Sequence, residues 1–300
     1  MQTELVKVCP VCRGTSFRNV FSCKDYTYSQ DHFTIQECED CQLRLTNPRP
    51  DSDNIGKFYP TSAYISHSGK TNNIFDFIYL QARKLALKQK FRLINKYKGQ
   101  GTILDYGCGT GEFLQHMASQ NYVALGVEPA QHALIKANQL LSKSNGHVKE
   151  SLDELPNDQF DVITLWHVLE HIDVPDQLLS RLKKRLNKDG FIFVAVPNYK
   201  SHDAEYYKEY WAGYDVPRHF WHFSKPQIQT LFKNQGLKLV ATIPMKMDSF
   251  YVSLLSEKYK NNGRHNLITP IRAFSRGLIS NEKGKKSMNY SSLIYIARHG

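Results

Sequence analysis

The sequence has no long apolar run and no apolar stretch near its N-terminus. Its longest uninterrupted apolar run, Phe191–Val196, has about six residues, whereas a membrane-spanning helix needs about 20. The first twelve residues, MQTELVKVCPVC, lack the apolar segment of a secretory signal. We therefore expect a protein without a membrane span, located in the cytoplasm, where thiols stay reduced.

Internal repeats and low-complexity segments are also absent, as is any Ser–His–Asp or Cys–His arrangement that would indicate a protein nucleophile. The composition, 41% hydrophobic and 22% charged, is typical of a globular protein with a sizeable core. The net charge is +11, and residues 81–98 and 257–286 carry seven and eight Lys/Arg against no acid and two acids. Such segments indicate either a solvated helix face or an anionic partner: a nucleotide-linked substrate, RNA or a lipid surface.

Four of the six cysteines form two C-x2-C pairs, CPVC and CEDC, separated by 25 residues. Two such pairs can present four thiolates to one ion, so the spacing predicts a closed structural zinc site at Cys9, Cys12, Cys38 and Cys41. Disulfides and a redox C-x-x-C pair are the alternatives, and a reducing compartment argues against the first. We predict a zinc ribbon over residues 1–50.

The rest of the chain alternates short apolar segments with segments of helical periodicity. Residues 51–98 are predicted to form a linker and an N-terminal helix. Predicted strands then follow at residues 102–105, 123–128, 160–165, 191–196, 237–243 and 293–298, with helices at residues 111–119, 130–141 and 177–186. This alternation predicts an α/β fold whose parallel sheet is covered on both faces and binds ligands beyond the carboxyl ends of its strands.

The first predicted strand leads into a glycine-rich turn, ILDYGCGTGEFL. Gly107, Gly109 and Gly111 allow a tight turn and a close approach of the backbone to a ligand. The dinucleotide fingerprint requires a third glycine at position 112, where this sequence has Glu112, whose charge would repel a pyrophosphate. The turn therefore argues against NAD and favours a cofactor with no phosphate and a positive centre.

The motif DYGCGTG resembles the first motif of class I S-adenosylmethionine-dependent methyltransferases. The segments GVEP, SLDELP, FDVITLWHVLEHIDVP and SSLIYIAR follow in the order of that family. The resemblance implies a Rossmann-like class I methyltransferase domain over residues 99–300, with a seven-stranded, mostly parallel sheet and an antiparallel last strand. It also implies S-adenosylmethionine as the cofactor.

The same resemblance implies roles for individual residues. Asp105 would orient the first loop and the methionine amine, Glu128 would hold the ribose hydroxyls, and Trp166 would face the sulfonium in a cation–π contact. The implied cofactor-binding residues are Asp105, Gly107, Cys108, Gly109, Gly111, Glu128, Pro129, Leu152, Trp166 and His167.

Two segments compete for the handling of the acceptor's proton. WHVLEH resembles the ubiquinone-type O-methyltransferases, some of which are thought to bind a divalent ion here through acids and a histidine. His167 stands where those enzymes tend to have an acid, and Glu170 and His171 are equally consistent with a structural turn. Whether these three residues bind a metal is left open.

The second segment, YDVPRHFWHFS, resembles a recurrent segment of the same subfamily, at the end of a predicted lid over residues 197–223. Arg218 is a candidate to bind a substrate carboxylate or phosphate, and His219 is a candidate general base. Ser224 has the character of a helix N-cap. The alternative for both histidines of this segment is a structural role.

The leading hypothesis is methyl transfer to an oxygen or carbon of a small, polar, anionic metabolite, such as a sugar nucleotide, a glycan precursor or a quinone-like molecule. A zinc-ribbon RNA methyltransferase and a non-catalytic S-adenosylmethionine-binding module are the alternatives. Against RNA, LWHVLEH stands where base-amino methylation often uses [DN]PP[YF], and acids surround the second cysteine pair. The sequence leaves the oligomeric state open.

Overall fold

The computed structural model of the chain describes residues 2–59, 74–155, 159–264 and 268–300. Most of the predicted linker lies outside the described residues. The strands are β1 Thr3–Glu4, β2 Phe17–Lys24, β3 His32–Cys38, β4 Arg44–Thr46, β5 Arg49–Pro50, β6 Gly101–Tyr106, β7 Tyr122–Val127, β8 His147–Lys149, β9 Phe160–Trp166, β10 Leu186–Pro197, β11 Trp221–His222, β12 Leu237–Pro244 and β13 Ser292–His299. The α-helices are α1 Ser52–Ile55, α2 Ile74–Tyr97, α3 Glu112–Ala118, α4 Gln131–Leu141, α5 Pro175–Lys184, α6 His202–Tyr207, α7 Lys225–Asn234, α8 Asp248–Lys260 and α9 Thr269–Ser287.

The central element is a seven-stranded sheet in the order β12-β13-β10-β9-β6-β7-β8. Strand β6 pairs in parallel with β7 and β9, and β7 pairs in parallel with β8. The sheet is antiparallel at its last strands. Strands of this central group are almost entirely apolar because both faces of such a sheet are covered. The predicted α/β fold with a seven-stranded, mostly parallel sheet is confirmed.

Tertiary contacts divide the chain into two units. The first comprises Met1–Tyr59, His167–Ser180 and Val194–Ala297, and the second comprises Pro60–Trp166, Arg181–Phe193 and Arg298–Gly300. The predicted domain boundaries at residues 50 and 98 follow chain order, whereas these units are assembled from separate stretches of sequence. The boundaries stay a prediction.

Within the first unit, strands β2, β3 and β4 of the N-terminal region form a four-stranded sheet with β11, in the order β11-β4-β3-β2. Its edge strand β11 comes from YDVPRHFWHFS: Trp221 pairs with Leu45, and His222 pairs with Arg44, in antiparallel register. A strand of two residues has no readable period, so the sequence did not predict this pairing. The segment predicted as a lid thus completes the sheet of the predicted ribbon.

An aromatic core joins the same two parts of the chain. Its buried members come from β2 and β3, from the 3-10 helix Gly56–Phe58 and from the segment before β11: Cys23, Phe33, Ile35, Phe58, Tyr199, Ala204, Tyr207, Trp211, Tyr214 and Val216. Burying a large apolar side chain contributes about 1.5–3 kcal/mol, so this core rather than helix propensity holds the segment in place.

Ser224 is the N-cap of α7, as predicted. Its backbone N–H donates to Gln227 Oε1 at 3.0 Å, and the two residues form a reciprocal capping box. Among the described residues, no helix has the length and apolarity to cross a membrane.

Candidate active site

The loop between β6 and α3 contains the three glycines predicted to line the cofactor. Gly107, Gly109 and Gly111 have φ angles of 75°, 55° and 81°, a region that glycine adopts without a steric penalty. A Cβ added at Gly109 would meet no described atom within 4 Å, so the backbone there borders open space. A Cβ at Gly111 would lie 2.9 Å from Ala137 Cβ of α4. One glycine therefore leaves room for a ligand, and the other lets the loop pack against α4.

Asp105 lies near the carboxyl end of β6 and is buried. It accepts a hydrogen bond from Thr164 Oγ1 of β9 at 2.6 Å. Burial raises the pKa of Asp105 to about 7, although the Thr164 bond opposes the shift. An approaching cation, such as an amino group, would therefore favour ionisation of this carboxyl group.

Glu128 directly follows β7 and connects that strand to the glycine loop. Its Oε2 accepts from the Gly109 N–H at 2.8 Å, and its Oε1 accepts from the Ala130 N–H at 2.9 Å. Burial raises the pKa of Glu128, and the two backbone bonds oppose that shift. A carboxylate offers about four acceptor positions, so capacity remains for two hydroxyl groups of a ligand.

The other predicted cofactor residues of this unit lie around the same loop. The Cys108 thiol packs against β7, where a Cβ at Gly126 would lie 2.7 Å from its Sγ. Leu152 is buried at the start of the 3-10 helix Leu152–Glu154, and Pro129 is exposed. Their predicted roles stay predictions.

Trp166, the last residue of β9, has a cation against its ring. Lys90 Nζ of α2 lies 4.3 Å from the ring centroid, and Phe113 of α3 packs edge-on at 5.6 Å. This face of Trp166 therefore accepts a positive charge in a cation–π contact, as the resemblance implies for a sulfonium. The sequence analysis missed Lys90, which is one of seven basic residues in a run without acids.

Glu112, the residue that argued against NAD, begins α3 and forms an ion pair with Arg83 of α2. A carboxylate in the first turn of a helix also interacts favourably with the helix dipole. Glu112 therefore already compensates the positive end of the α3 dipole.

His167 lies in the first unit and is held between two carboxylates. Its Nε2 lies 3.0 Å from Asp248 Oδ2, and its Nδ1 lies 3.3 Å from Glu170 Oε1. Burial by itself lowers the pKa of His167, but the bonds to Asp248 and Glu170 outweigh it and raise the pKa to about 10. A histidine that is already protonated at neutral pH cannot accept the acceptor's proton. Nothing in the sequence links positions 167 and 248, so Asp248 was missed.

We expect the His167 imidazole to stay protonated up to about pH 10 and to titrate at a lower pH in Asp248→Asn. Because the folded-state pKa exceeds the ordinary value of about 6.5, the pair's contribution to stability is complete below that value and is lost as pH rises through the folded-state pKa. Imidazole nitrogen NMR shifts measured against pH test this. Asp153→Asn, a distant surface change, is the control, and titration of wild-type His167 near pH 6.5 would contradict the expectation.

Glu170, His171 and His219 form a compact cluster. Their potential metal-ligand atoms all lie within 4.8 Å of one another. The rings of the two histidines meet edge to face with centroids 4.5 Å apart. Glu170 is fully buried, and its Oε2 has no hydrogen-bond partner among the described residues. Where the sequence grouped His167 with Glu170 and His171, the structure adds His219 from a distant segment.

Backbone carbonyls orient both imidazoles of this cluster. His219 Nδ1 lies 2.9 Å from Gly213 O, and His171 Nδ1 lies 2.9 Å from Arg218 O. A carbonyl oxygen only accepts, so His219 Nδ1 carries the hydrogen and its Nε2 keeps a lone pair when the ring is neutral. His171 Nδ1 also lies 2.9 Å from the Tyr59 hydroxyl, which can donate or accept. Burial, together with the charge of His219, lowers the pKa of His171 to about 4. A histidine can accept a proton or bind a cation through Nε2 when its ring is neutral.

Arg218 is buried, and its guanidinium contacts acceptors of the protein itself. It donates to Asp215 at 2.7 and 2.9 Å, to Asp25 at 3.0 Å, and to the carbonyls of Phe58 and Val216 at 3.3 Å. Buried charges are stable only when paired in this way. The guanidinium therefore links Asp25, Phe58, Asp215 and Val216. The predicted contact of Arg218 with a substrate anion stays a prediction.

The second histidine of the segment, His222, is buried on β11. Its Nε2 lies 3.2 Å from Thr46 Oγ1, whose hydroxyl also donates to the His219 carbonyl at 2.7 Å. Burial lowers the pKa of His222 well below its ordinary value. This environment is that of a structural histidine.

The four predicted zinc ligands converge in the first unit. Their Sγ atoms lie within 4.8 Å of one another, with Cys9 and Cys41 3.6 Å apart and Cys12 and Cys38 3.5 Å apart. Sulfurs bound tetrahedrally at about 2.3 Å from zinc are about 3.8 Å apart, so these distances fit a zinc ion. The Gly14 N–H also donates to Cys12 Sγ at 3.4 Å, and none of the six cysteines is in a disulfide.

Comparison with known proteins connects this geometry to a family. Residues 70–242, more than half of the chain, match a family model described as a methyltransferase domain. The mitochondrial ubiquinone biosynthesis O-methyltransferase of Candida albicans and the ubiquinone biosynthesis O-methyltransferase of Glaesserella parasuis are each 29% identical to the chain over 106 residues. These alignments cover 32% of this chain and 32% and 45% of the relatives, so the chain spans less than half the length of the curated relatives it matches.

A solved structure with a similar fold is the magnesium protoporphyrin IX methyltransferase of Synechocystis PCC 6803 with bound SAH. It superposes with a TM-score of 0.55 and 12% identity, over 83% of this chain and 100% of that chain. At this identity the likeness concerns the fold alone.

Proposed function

Since the chain belongs to the family of methyltransferase domains, we propose that it transfers a methyl group from S-adenosylmethionine to an oxygen or carbon of a small, polar, anionic metabolite. Family and fold agree with the class I methyltransferase predicted from DYGCGTG. The observation that carries the proposal is the bond between Glu128 and the Gly109 N–H, which places an acid at the edge of an open glycine loop.

The residues of the second unit fit the cofactor. Glu128 would hold the ribose hydroxyls, Asp105 would bind the methionine amine, and Trp166 would offer its ring to the sulfonium. When bound, the cofactor supplies a methyl group that is already activated. The protein therefore needs to position the acceptor and, where the acceptor carries a proton, to remove it.

We expect Glu128→Ala to weaken S-adenosylmethionine binding by about tenfold to a hundredfold, because hydrogen bonds to a charged group contribute about 1.5–3 kcal/mol. Isothermal titration calorimetry with S-adenosylmethionine and S-adenosylhomocysteine measures the loss. Glu150→Ala, on the exposed surface after β8, is the matched control and should bind both ligands normally. An unchanged dissociation constant for Glu128→Ala would remove the central support for the proposal.

His219 is the residue that we assign to accept the acceptor's proton. Its Nδ1–H is held by Gly213 O, which directs the basic Nε2 away from that bond. Asp215 Oδ2, 4.0 Å from Nε2, would stabilise the positive charge that develops on the ring. The partner histidine of the cluster, His171, follows the last residue of β9 by five positions in the sequence.

Arg218 is better placed to position His219 than to bind a substrate. It forms one ion pair with Asp215 and another with Asp25, and the backbone N–H of His219 donates to Asp215 O at 3.1 Å. We therefore propose a positioning role for Arg218. His167, as a cation between Glu170 and Asp248, would likewise orient the Glu170 carboxylate.

The two relatives are O-methyltransferases of ubiquinone biosynthesis, which favours an oxygen acceptor for this chain. A quinone-like phenol therefore stands first among the acceptors proposed from the sequence, ahead of sugar nucleotides and glycan precursors. A zinc ion at the four cysteines would complete the fold of the first unit, and a cytoplasmic location agrees with their reduced state.

A methyl-transfer assay tests the function directly. The full-length protein is incubated with labelled S-adenosylmethionine and, in separate reactions, with a small-molecule extract and with total RNA. We expect label in the extract and not in RNA. Salt-sensitive labelling of RNA would establish the RNA alternative, and cofactor binding without labelling of either pool would establish the non-catalytic one.

A further inference from the structure

Helices α8 and α9 form an antiparallel pair in the first unit. Ser249 Oγ donates to Gly277 O at 3.3 Å, and Asn281 Nδ2 donates to Lys246 O at 2.9 Å. Gly277 permits this closeness, since a Cβ there would lie 2.6 Å from the Phe250 ring. One face of the helix pair is therefore packed against the protein, and the opposite face is exposed.

That opposite face is apolar and exposed. Ile271, Phe274 and Leu278 of α9 are 70%, 59% and 45% exposed, and at 100° per residue they fall within an arc of about 60°. Phe274 stacks on Phe250 of α8 at 5.2 Å, so the apolar face continues onto that helix. The apolar surface is defined here by Ile271, Phe274 and Leu278, with Phe250 stacked on Phe274; Met247 and Tyr251 are also exposed at and near the start of α8. A contiguous patch of large exposed side chains indicates a binding surface, whereas single ones do not.

Basic residues surround the apolar surface. Residues 246–287 carry nine Lys/Arg against three acids. Two of these acids are engaged inside the protein, Asp248 with His167 and Glu257 with the Tyr207 hydroxyl. Lys283, Lys285 and Lys286 are all exposed at the end of α9, and Lys285 forms an ion pair with the third acid, Glu282. The surface therefore presents apolar side chains within a field of positive charge.

We propose that the apolar surface of α8 and α9 binds the interface of a membrane rich in anionic lipids, as a peripheral contact. Amphipathic helices with large apolar side chains on one face and Lys/Arg around them bind in this way, through apolar burial and attraction to anionic headgroups. A second copy of this chain would bring an equal positive charge to the contact, which disfavours self-association through the same face. This inference does not depend on the identity of the methyl acceptor.

Co-sedimentation of the full-length protein with vesicles tests the proposal. We expect binding to vesicles of phosphatidylcholine and phosphatidylglycerol in a 7:3 ratio, little binding to phosphatidylcholine alone, and release at high salt. The triple variant Lys283→Gln, Lys285→Gln, Lys286→Gln should lower the partition coefficient about a hundredfold, at roughly fivefold per lysine. The triple variant Ile271→Ser, Phe274→Ser, Leu278→Ser should lower it at least about tenfold.

Matched controls carry the same chemical changes on the second unit. Lys143→Gln, Lys149→Gln, Lys188→Gln removes three exposed lysines, and Ile135→Ser removes an exposed isoleucine of α4. Both controls should bind the mixed vesicles like the wild type, and unchanged melting temperatures should show that all variants fold. Equal binding by the apolar triple variant would overturn the proposal. So would a wild-type dimer in light scattering that the apolar triple variant abolishes.

Discussion

Replacing His219 with alanine is expected to lower kcat by about a hundredfold to ten-thousandfold, the usual contribution of a positioned general base. The dissociation constant for S-adenosylmethionine should stay nearly unchanged, because the residues proposed to hold the cofactor belong to the other unit. In the pH dependence of kcat/KM, the limb that reports the base should disappear in the variant. Steady-state kinetics over pH, with the acceptor identified by the labelling assay, measures both effects.

His222→Asn is the matched control, because it changes the other histidine of the same segment. His222 bonds to Thr46 in a buried setting, so the variant should lose stability but keep most of its kcat where it remains folded. If His219→Ala turns over at the wild-type rate, His219 has a packing role only.

The same cluster leaves room for a second outcome, because it offers three potential metal ligands and Glu170 Oε2 has no hydrogen-bond partner among the described residues. Chelator treatment followed by addition of single divalent metals separates the two. Activity that is lost while metal analysis shows the four-cysteine zinc retained, and that is restored by one metal, would assign the cluster to a cation. Activity indifferent to chelation supports a proton acceptor.

The Cys38→Ser variant is expected to lose its zinc and to leave most of the first unit unfolded. Structural zinc contributes about 10–16 kcal/mol in small zinc domains at neutral pH, which equals or exceeds the total stability of many domains, about 5–15 kcal/mol. Cys38 ends β3, whose sheet also contains β11. The loss should therefore extend to the His219 segment. Metal analysis should find one zinc per wild-type chain, and circular dichroism should show a lower melting temperature for the variant.

Cys23→Ala is the control, since Cys23 is buried in the aromatic core of the same unit but lies outside the four-sulfur cluster. It should retain zinc and lose only the stability expected for a small cavity. If Cys38→Ser is insoluble, zinc release from the wild type by a strong chelator, followed by tryptophan fluorescence, gives the same information. A wild-type protein that contains no zinc and is unaffected by the chelator would contradict the zinc assignment.

The conformation of the glycine loop was predictable because every part of it is local in sequence. The glycines of DYGCGTG need backbone freedom over five residues, and Glu128 follows its strand directly. Strand periods also placed the sheet: predicted residues 160–165 and 191–196 lie inside β9 and β10. Sequence patterns of this kind hold because the burial of each strand is decided by its own side chains.

The surroundings of the histidines were not predictable in this way. Arg218 meets Asp25 across 193 residues of sequence, and His167 meets Asp248 across 81. No pattern of period two or 3.6 connects such positions. The sequence therefore predicts only a substrate contact for Arg218. The pKa of His167 depends on the carboxylate of Asp248, which lies outside its own segment.

The stretch YDVPRHFWHFS shows which features the sequence determines and which only the tertiary structure decides. Its chemistry, an arginine and two histidines among aromatics, and the cap at Ser224 follow from the residues themselves, as do the family and the fold of the chain. Only the tertiary structure assigns one histidine to β11 and the other to the cluster with Glu170, because burial and hydrogen-bond partners depend on which distant strands come together.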